Sequence, residues 1–141
     1  DGESKFYVPS NLFILGMMNT ADKSLSMVDY ALRRRFAFVT LAPQFTAPKY
    51  RTHLIDKGVS EELVGKIISK MGELNKEIED DRLNLGPGYR IGHSFFTPSE
   101  KIANAEVWYK QIVNTEIHPL LEEYWFDTPE KADQWCEQLL K

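Results

Sequence analysis

Hydrophobic positions follow two different rhythms along this chain. Near the start, Asn11-Leu12-Phe13-Ile14-Leu15-Gly16 is a short apolar run closed by a glycine, the pattern of a buried strand in a parallel sheet. Polar residues fill Asn19 to Ser24, after which Leu25, Val28, Ala31 and Leu32 recur at helical spacing behind Ser24 as N-cap. Phe36-Ala37-Phe38-Val39-Thr40-Leu41 reads as a second strand, closed by Pro43. Strand, helix and strand within about thirty residues predict one edge of an α/β layer. Two strands cannot bury a sheet by themselves, so the layer is expected to be the remnant of a larger one.

Beyond Pro43 the rhythm is helical. Thr46 and Pro48 open a helix that Gly58 ends. Ser60 caps the next, with Glu61 and Glu62 placed favourably against the helix dipole. Leu63, Val64, Ile67, Ile68, Met71, Leu74 and Ile78 form its apolar stripe. The segment from Leu85 to Phe96, with Gly86, Gly88 and Gly92, is expected to be irregular. Thr97-Pro98-Ser99-Glu100 has the form of a capping box with proline at the first helical position, so a helix is expected to follow with Trp108, Ile112 and Val113 inward. Ile117-His118-Pro119 marks a bend. Leu120, Leu121, Tyr124 and Trp125 make another apolar face, and Thr128-Pro129 caps a last helix carrying Ala132, Trp135, Leu139 and Leu140. The predicted class is mainly α: a truncated α/β remnant of about two strands and a helix, then a helical bundle.

Composition narrows the functions open to such a chain. Its 141 residues are 43% hydrophobic and 27% charged, enough to support a packed core. The net charge of −4 argues against a dedicated DNA-reading domain, which would ordinarily be basic. No apolar run approaches the roughly 20 residues that span a bilayer. The one cysteine, Cys136, cannot form an internal disulfide; it fits a reducing, cytoplasmic setting and a buried place on the last helix.

Chemistry concentrates between Gly16 and Phe36. Asn19-Thr20-Ala21-Asp22 follows the carboxyl end of the first predicted strand, where α/β sheets present ligand-contacting groups. An asparagine there can orient a water molecule or bond a phosphate without adding charge. Arg33-Arg34-Arg35 then closes the predicted helix; cations favour a helix C-terminus in any case, so the triplet also has a purely structural explanation. Elsewhere the signals are weaker. Gly65-Lys66 resembles the end of a P-loop, but Ser60 stands where its first glycine belongs and Ile67 replaces the Ser or Thr. Gly86-Pro87-Gly88 with Gly92 misses the dinucleotide fingerprint by one residue and follows no strand. His93 beside Ser94 fits a structural hydrogen-bonder better than an acid–base catalyst; His53 and His118 have no metal-ligand company and are expected to be ordinary surface or bend residues.

Three blocks of sequence together resemble one family. They are Met18-Asn19-Thr20-Ala21-Asp22-Lys23-Ser24 with Val28-Asp29-Tyr30-Ala31-Leu32-Arg33-Arg34-Arg35-Phe36, then Gly86-Pro87-Gly88-Tyr89-Arg90-Ile91-Gly92-His93-Ser94, then Pro119-Leu120-Leu121-Glu122-Glu123-Tyr124. In this order they resemble the C-terminal part of McrB-like AAA+ GTPases, motor subunits of methylcytosine-directed restriction systems. The resemblance implies that residues 1–43 end the AAA+ α/β core and that 44–141 form its helical lid. It makes Asn19 the sensor-one residue, near the terminal phosphate and the attacking water. Asp22 joins it as part of the family's Asn-Thr-x-Asp signature, and Arg34 and Arg35 are candidate arginine fingers reaching a neighbouring subunit's nucleotide. Arg90 matches the sensor-two arginine that a lid presents to phosphates.

For the intact protein the resemblance implies GTP and magnesium as cofactors, a homo-oligomeric ring (a hexamer), a nuclease partner subunit, DNA bound through an N-terminal domain, and no membrane. These 141 residues contain neither a P-loop nor a metal-ligand set, so the chain alone is expected to lack GTPase activity, with no bound cofactor and no metal site. Two rival readings are an ATP-driven remodelling chaperone of the MoxR type and a non-catalytic helical interaction module.

Overall fold

The computed structural model describes residues 7–18 and 30–141. Six α-helices follow one another among them: α1 (Tyr30–Arg33), α2 (Pro48–Asp56), α3 (Glu61–Asp80), α4 (Ala105–Ile112), α5 (His118–Tyr124) and α6 (Pro129–Leu140). The chain is thus mainly α, as its periodicity predicts. Short 3₁₀ turns occupy Pro87–Tyr89 and His93–Phe96, and a π-helical turn, Val113–Ile117, joins α4 to α5.

The ends of α2 and α3 follow from local chemistry. Pro48 sits in the first turn of α2, where its missing N–H removes no helical bond. At the other end Gly58 takes φ +95°, Val59 N–H donates to the Leu54 carbonyl (3.0 Å) and Gly58 N–H to Ile55 (2.9 Å). This is a Schellman closure, with Leu54 and Val59 both buried beneath it. A side chain at position 58 would be strained by that φ and would also lie 3.2 Å from the Ile102 carbonyl oxygen. Two residues later the Ser60 hydroxyl accepts from Leu63 N–H (3.2 Å) and starts α3.

Helix α3 is the centre of the bundle. Its residues Leu63, Val64, Ile67, Met71, Leu74 and Ile78 are buried against Tyr109, Ile112, Val113 and Ile117 of the α4 segment, Leu121 and Trp125 at α5, and Ala132, Cys136 and Leu139 of α6 in one continuous core. Ile68, read as part of the stripe, packs at its edge. Polar tips of the large aromatics are satisfied within this core. Tyr109 Oη donates to the Leu139 carbonyl (2.8 Å), Tyr50 Oη to Phe96 (3.1 Å), and Trp125 Nε1 to an Asp81 carboxylate oxygen (3.2 Å). Burial pushes the Tyr109 phenol up to about 12, and Tyr50 and Tyr124 are raised by the same cause.

Four local expectations change in the fold. The segments 11–16 and 36–41, read as strands, carry no ladder among the described residues and lie exposed, with Phe13 at 90% and Leu15 at 94%. A strand satisfies its backbone only through neighbours, and these runs have none among the described residues to pair with. Thr97-Pro98-Ser99-Glu100 does not begin a helix. Its backbone is drawn along the end of α2 instead: Ile102 N–H donates to the Lys57 carbonyl (2.8 Å), the Lys57 ammonium reaches the Ser99 carbonyl, and His53 Nε2 lies 2.9 Å from the Pro98 carbonyl. His53 is therefore a half-buried bridging residue rather than an ordinary surface one. The helix begins later, at Ala105, where Asn104 accepts from Val107 N–H (3.1 Å).

The bend expected at Ile117-His118-Pro119 is a change of winding within a continuous helical path. Pro119 has no N–H and its ring crowds the carbonyl one turn back; the π turn immediately before it, closed by His118 N–H to the Val113 carbonyl, makes the room. At α6, Pro129 occupies the first turn as read, but the Thr128 side chain makes no capping bond.

Candidate functional site

A groove of about 240 Å³ runs between the Pro43–Thr46 strap, the middle of α3 and the glycine-rich turn. Phe45, Ile68 and Gly72 give it apolar walls, while Lys76, Glu79 and Arg90 bring charge to it. The turn reaches this place because Gly86, at φ +103°, reverses the chain after α3 and donates its N–H to the Ile78 carbonyl (3.1 Å). Pro87–Tyr89 then makes a 3₁₀ turn, and Arg90 follows at its end.

Arg90 is held rather than loose. Its Nε donates to the Pro87 carbonyl (3.1 Å), and its Nη1 lies 3.5 Å from a Glu79 carboxylate oxygen. The side chain is 28% exposed, enough to meet a ligand in the groove. A guanidinium fixed in this way, with the Lys76 ammonium on the same groove, suits a phosphate-bearing ligand. The backbone behind it is fixed by Asn75, which is buried within the apolar face of α3. Its amide nitrogen donates to the Ile91 carbonyl (2.9 Å) and its oxygen accepts from Ile91 N–H (2.6 Å).

Asn75 escaped the sequence reading, although a signal was there. It is a polar residue directly beside Leu74 in a stripe otherwise apolar, and such a residue is buried only when its bonds are met. His93 sits at the same end of the bundle, its Nδ1 accepting from Gln44 N–H (3.1 Å) and its ring edge-on to Phe45 and Tyr50. That is the structural role expected of it: it ties the strap to the turn. His118 pairs with Asp133 (2.9 Å), fastening α5 to α6.

The remaining predicted residues stand elsewhere. Asn19 and Asp22 lie outside the described residues. Arg33, Arg34 and Arg35 are exposed at the end of α1, with the Arg33 guanidinium 5.8 Å from the centre of the Phe38 ring. Among the described residues the buried core begins at Phe45. Lys66 of the discarded P-loop resemblance lies on α3, where it reaches the Leu140 carbonyl (3.3 Å) and the Tyr109 ring. Among the described residues no group of three or more His, Cys, Asp and Glu could hold a metal ion. No helix among them is long and apolar enough to cross a membrane.

Comparison with known proteins agrees with this architecture. Residues 66–133 match the family model described as McrB, alpha-helical lid domain. The chain is also similar to the Type IV methyl-directed restriction enzyme EcoKMcrB subunit of Escherichia coli (strain K12), 47% identical over 140 residues. That alignment takes in 98% of this chain and 30% of the relative, so the chain spans less than a third of the relative's length. Arg90 and the α3 wall of the groove lie within the matched residues, while Pro43, Phe45 and Thr46 precede them; the chain thus carries a McrB alpha-helical lid domain over residues 66–133.

Proposed function

We propose that this chain is the lid-bearing part of a GTP-hydrolysing AAA+ ring motor, which works with a nuclease subunit on modified DNA. In this reading residues 1–43 complete the α/β core and 44–141 are the lid. The observation that carries it is Arg90, which lines the groove together with Lys76, both within the matched residues. Arg90 and Lys76 would hold the nucleotide's phosphates, and the guanidinium would supply positive charge where negative charge accumulates in phosphoryl transfer. Asn19 would place the attacking water, with Asp22 beside it. The exposed Arg34 and Arg35 would complete the site of the next subunit, which requires an oligomeric ring. The groove residues described here offer nothing that prefers guanine to adenine; GTP, like the DNA and the nuclease partner, rests on the kinship with the restriction subunit.

The test uses mixed rings of the full-length protein. One variant lacks the finger through Arg34→Ala or Arg35→Ala; the other lacks the lysine of the P-loop carried elsewhere in that protein. Each is inactive alone. Mixing restores part of the GTP hydrolysis if the arginine acts across the subunit boundary, because some interfaces then hold a complete site. No recovery from two folded, assembled variants would end the finger assignment, and hydrolysis of ATP in place of GTP would overturn the nucleotide.

A further inference from the structure

Resting on the reading of Arg90 as a phosphate-facing residue, we infer that Asn75 is its positioning residue: the buried amide locks the backbone at Ile91 and so fixes where the neighbouring guanidinium can reach. The inference starts from a mismatch between Asn75 and its surroundings. On α3 the inward positions before and after it are Met71, Leu74 and Ile78, all fully buried, and Asn75 shares their face with only 8% of its surface exposed. An apolar side chain would cover the core better there, and a buried amide is tolerated only with its bonds made. Both are made to one residue. Ile91 donates its N–H to the amide oxygen at 2.6 Å, and its carbonyl accepts from the amide nitrogen at 2.9 Å, the paired hydrogen bonds of a strand pair, here supplied by a side chain.

The geometry gives this clamp a target. Ile91 is itself buried, so the residue after Arg90 is held by packing and by two hydrogen bonds. On the other side of Arg90, the Pro87 carbonyl accepts from Nε, and Glu79, one turn beyond Asn75 on α3, pairs with Nη1. The turn carrying Arg90 contains Gly86 and Gly88, which by themselves leave its backbone many conformations. Helix α3 therefore holds the arginine at two points, backbone through Asn75 and guanidinium through Glu79. Without the backbone point, the ion pair with an exposed carboxylate is too weak to define a direction. Preorganisation of this kind matters most in the transition state, so its loss is read chiefly in turnover.

The experiment is a double-mutant cycle in the assembled full-length protein. Asn75→Leu preserves bulk and removes the clamp; Asn75→Ser is smaller, keeps a hydroxyl towards Ile91, and serves if the leucine variant fails to fold. Each is combined with Arg90→Ala, and kcat and KM for GTP are measured for all members. Acting through Arg90, Asn75→Leu lowers kcat about tenfold with a smaller change in KM, and costs less than about twofold once Arg90 is already alanine. The serine variant falls between. If the Asn75 substitutions cost as much in the Arg90→Ala background as without it, Asn75 is only a structural residue and the inference falls alone. If Arg90→Ala leaves hydrolysis unchanged, the reading of Arg90 falls first and the positioning role falls with it.

Discussion

The helical bundle and the described stretches before it are made of the same apolar residue types, yet they end in opposite environments. Leu54, Val64, Ile67 and Met71 are fully buried, while Leu15 is 94% and Met17 97% exposed. The difference lies in how each segment satisfies its backbone. A helix closes its own N–H and C=O groups, so an amphipathic helix needs only a second apolar face, and α3 meets several within about 80 residues of chain. A strand-like run needs neighbours on both edges and cover on both faces before its side chains can leave water. Hydrophobicity alone therefore does not mark a core; it marks one only where the backbone problem is solved as well.

The largest test of this contrast pairs one truncation from each region. Leu74→Ala in α3 should cost about 2–5 kcal/mol, since the surrounding core relaxes only partly around the space left. Leu15→Ala should stay within about 0.5 kcal/mol, because its side chain is already in water. Urea denaturation of the chain measures both. Equal losses would mean that the segment around Leu15 contributes to the same cooperative core.

Alkaline pH should act on the bundle and spare the stretch before it. Tyr109 has its phenol raised from 10.0 to about 12 by burial, chiefly, and then by the nearby Glu106 and Cys136. The folded state holds this proton more tightly than the unfolded state does. Its contribution is thus full below about pH 10 and disappears as pH rises through about 12. Tyr50 shifts in the same direction. Melting temperature followed from pH 8 to 12 should fall steeply over the last two units, and Tyr109→Phe should flatten that fall. The same variant should lose about 1 kcal/mol at neutral pH, because the Leu139 carbonyl loses its donor. An unchanged alkaline slope in Tyr109→Phe would remove this residue from the account.

The smallest effect concerns Cys136. Burial pushes its thiol up, with Asp133 and Glu137 adding repulsion to a thiolate, so little of the reactive form exists at neutral pH. Alkylation by iodoacetamide should run several-fold slower in the folded chain than after denaturation in urea. Equal rates would show that α6 opens readily, and that the core is less uniform than its packing implies.

Legibility followed the range of the interactions involved. The Ser60 cap, the Gly58 stop, the stripe of α3 and the inward residues of α6 depend on neighbours a few positions away, and all were readable from spacing. The stretch from Thr97 to Asn104 was misread because its capping-box pattern is local, while the bonds that defeat it come from His53 and Lys57, 45 and 42 residues earlier. At Pro119 the sequence marked the disturbance correctly but not its form; the choice of a π turn over a break depends on Val113, Ile117 and Leu121 all staying buried. For the candidate site, Arg90 was nominated by its block of sequence, whereas Asn75 acquires meaning only when Ile91 is beside it, 16 residues on.

The sequence by itself determined where the bundle's helices α2, α3 and α6 lie, which of their faces turn inward, and to which family the three blocks around Asn19, Arg90 and Pro119 point. These rest on period, capping chemistry and residue identity, which act over a turn or two of chain. Only the tertiary structure decided that the capping-box segment runs extended along α2, that His93 ties the strap to the turn, and that a buried asparagine clamps the backbone of Ile91. Such outcomes depend on which donors meet which acceptors after distant segments pack. A backbone that can satisfy its groups in several ways takes the one that the rest of the fold leaves open.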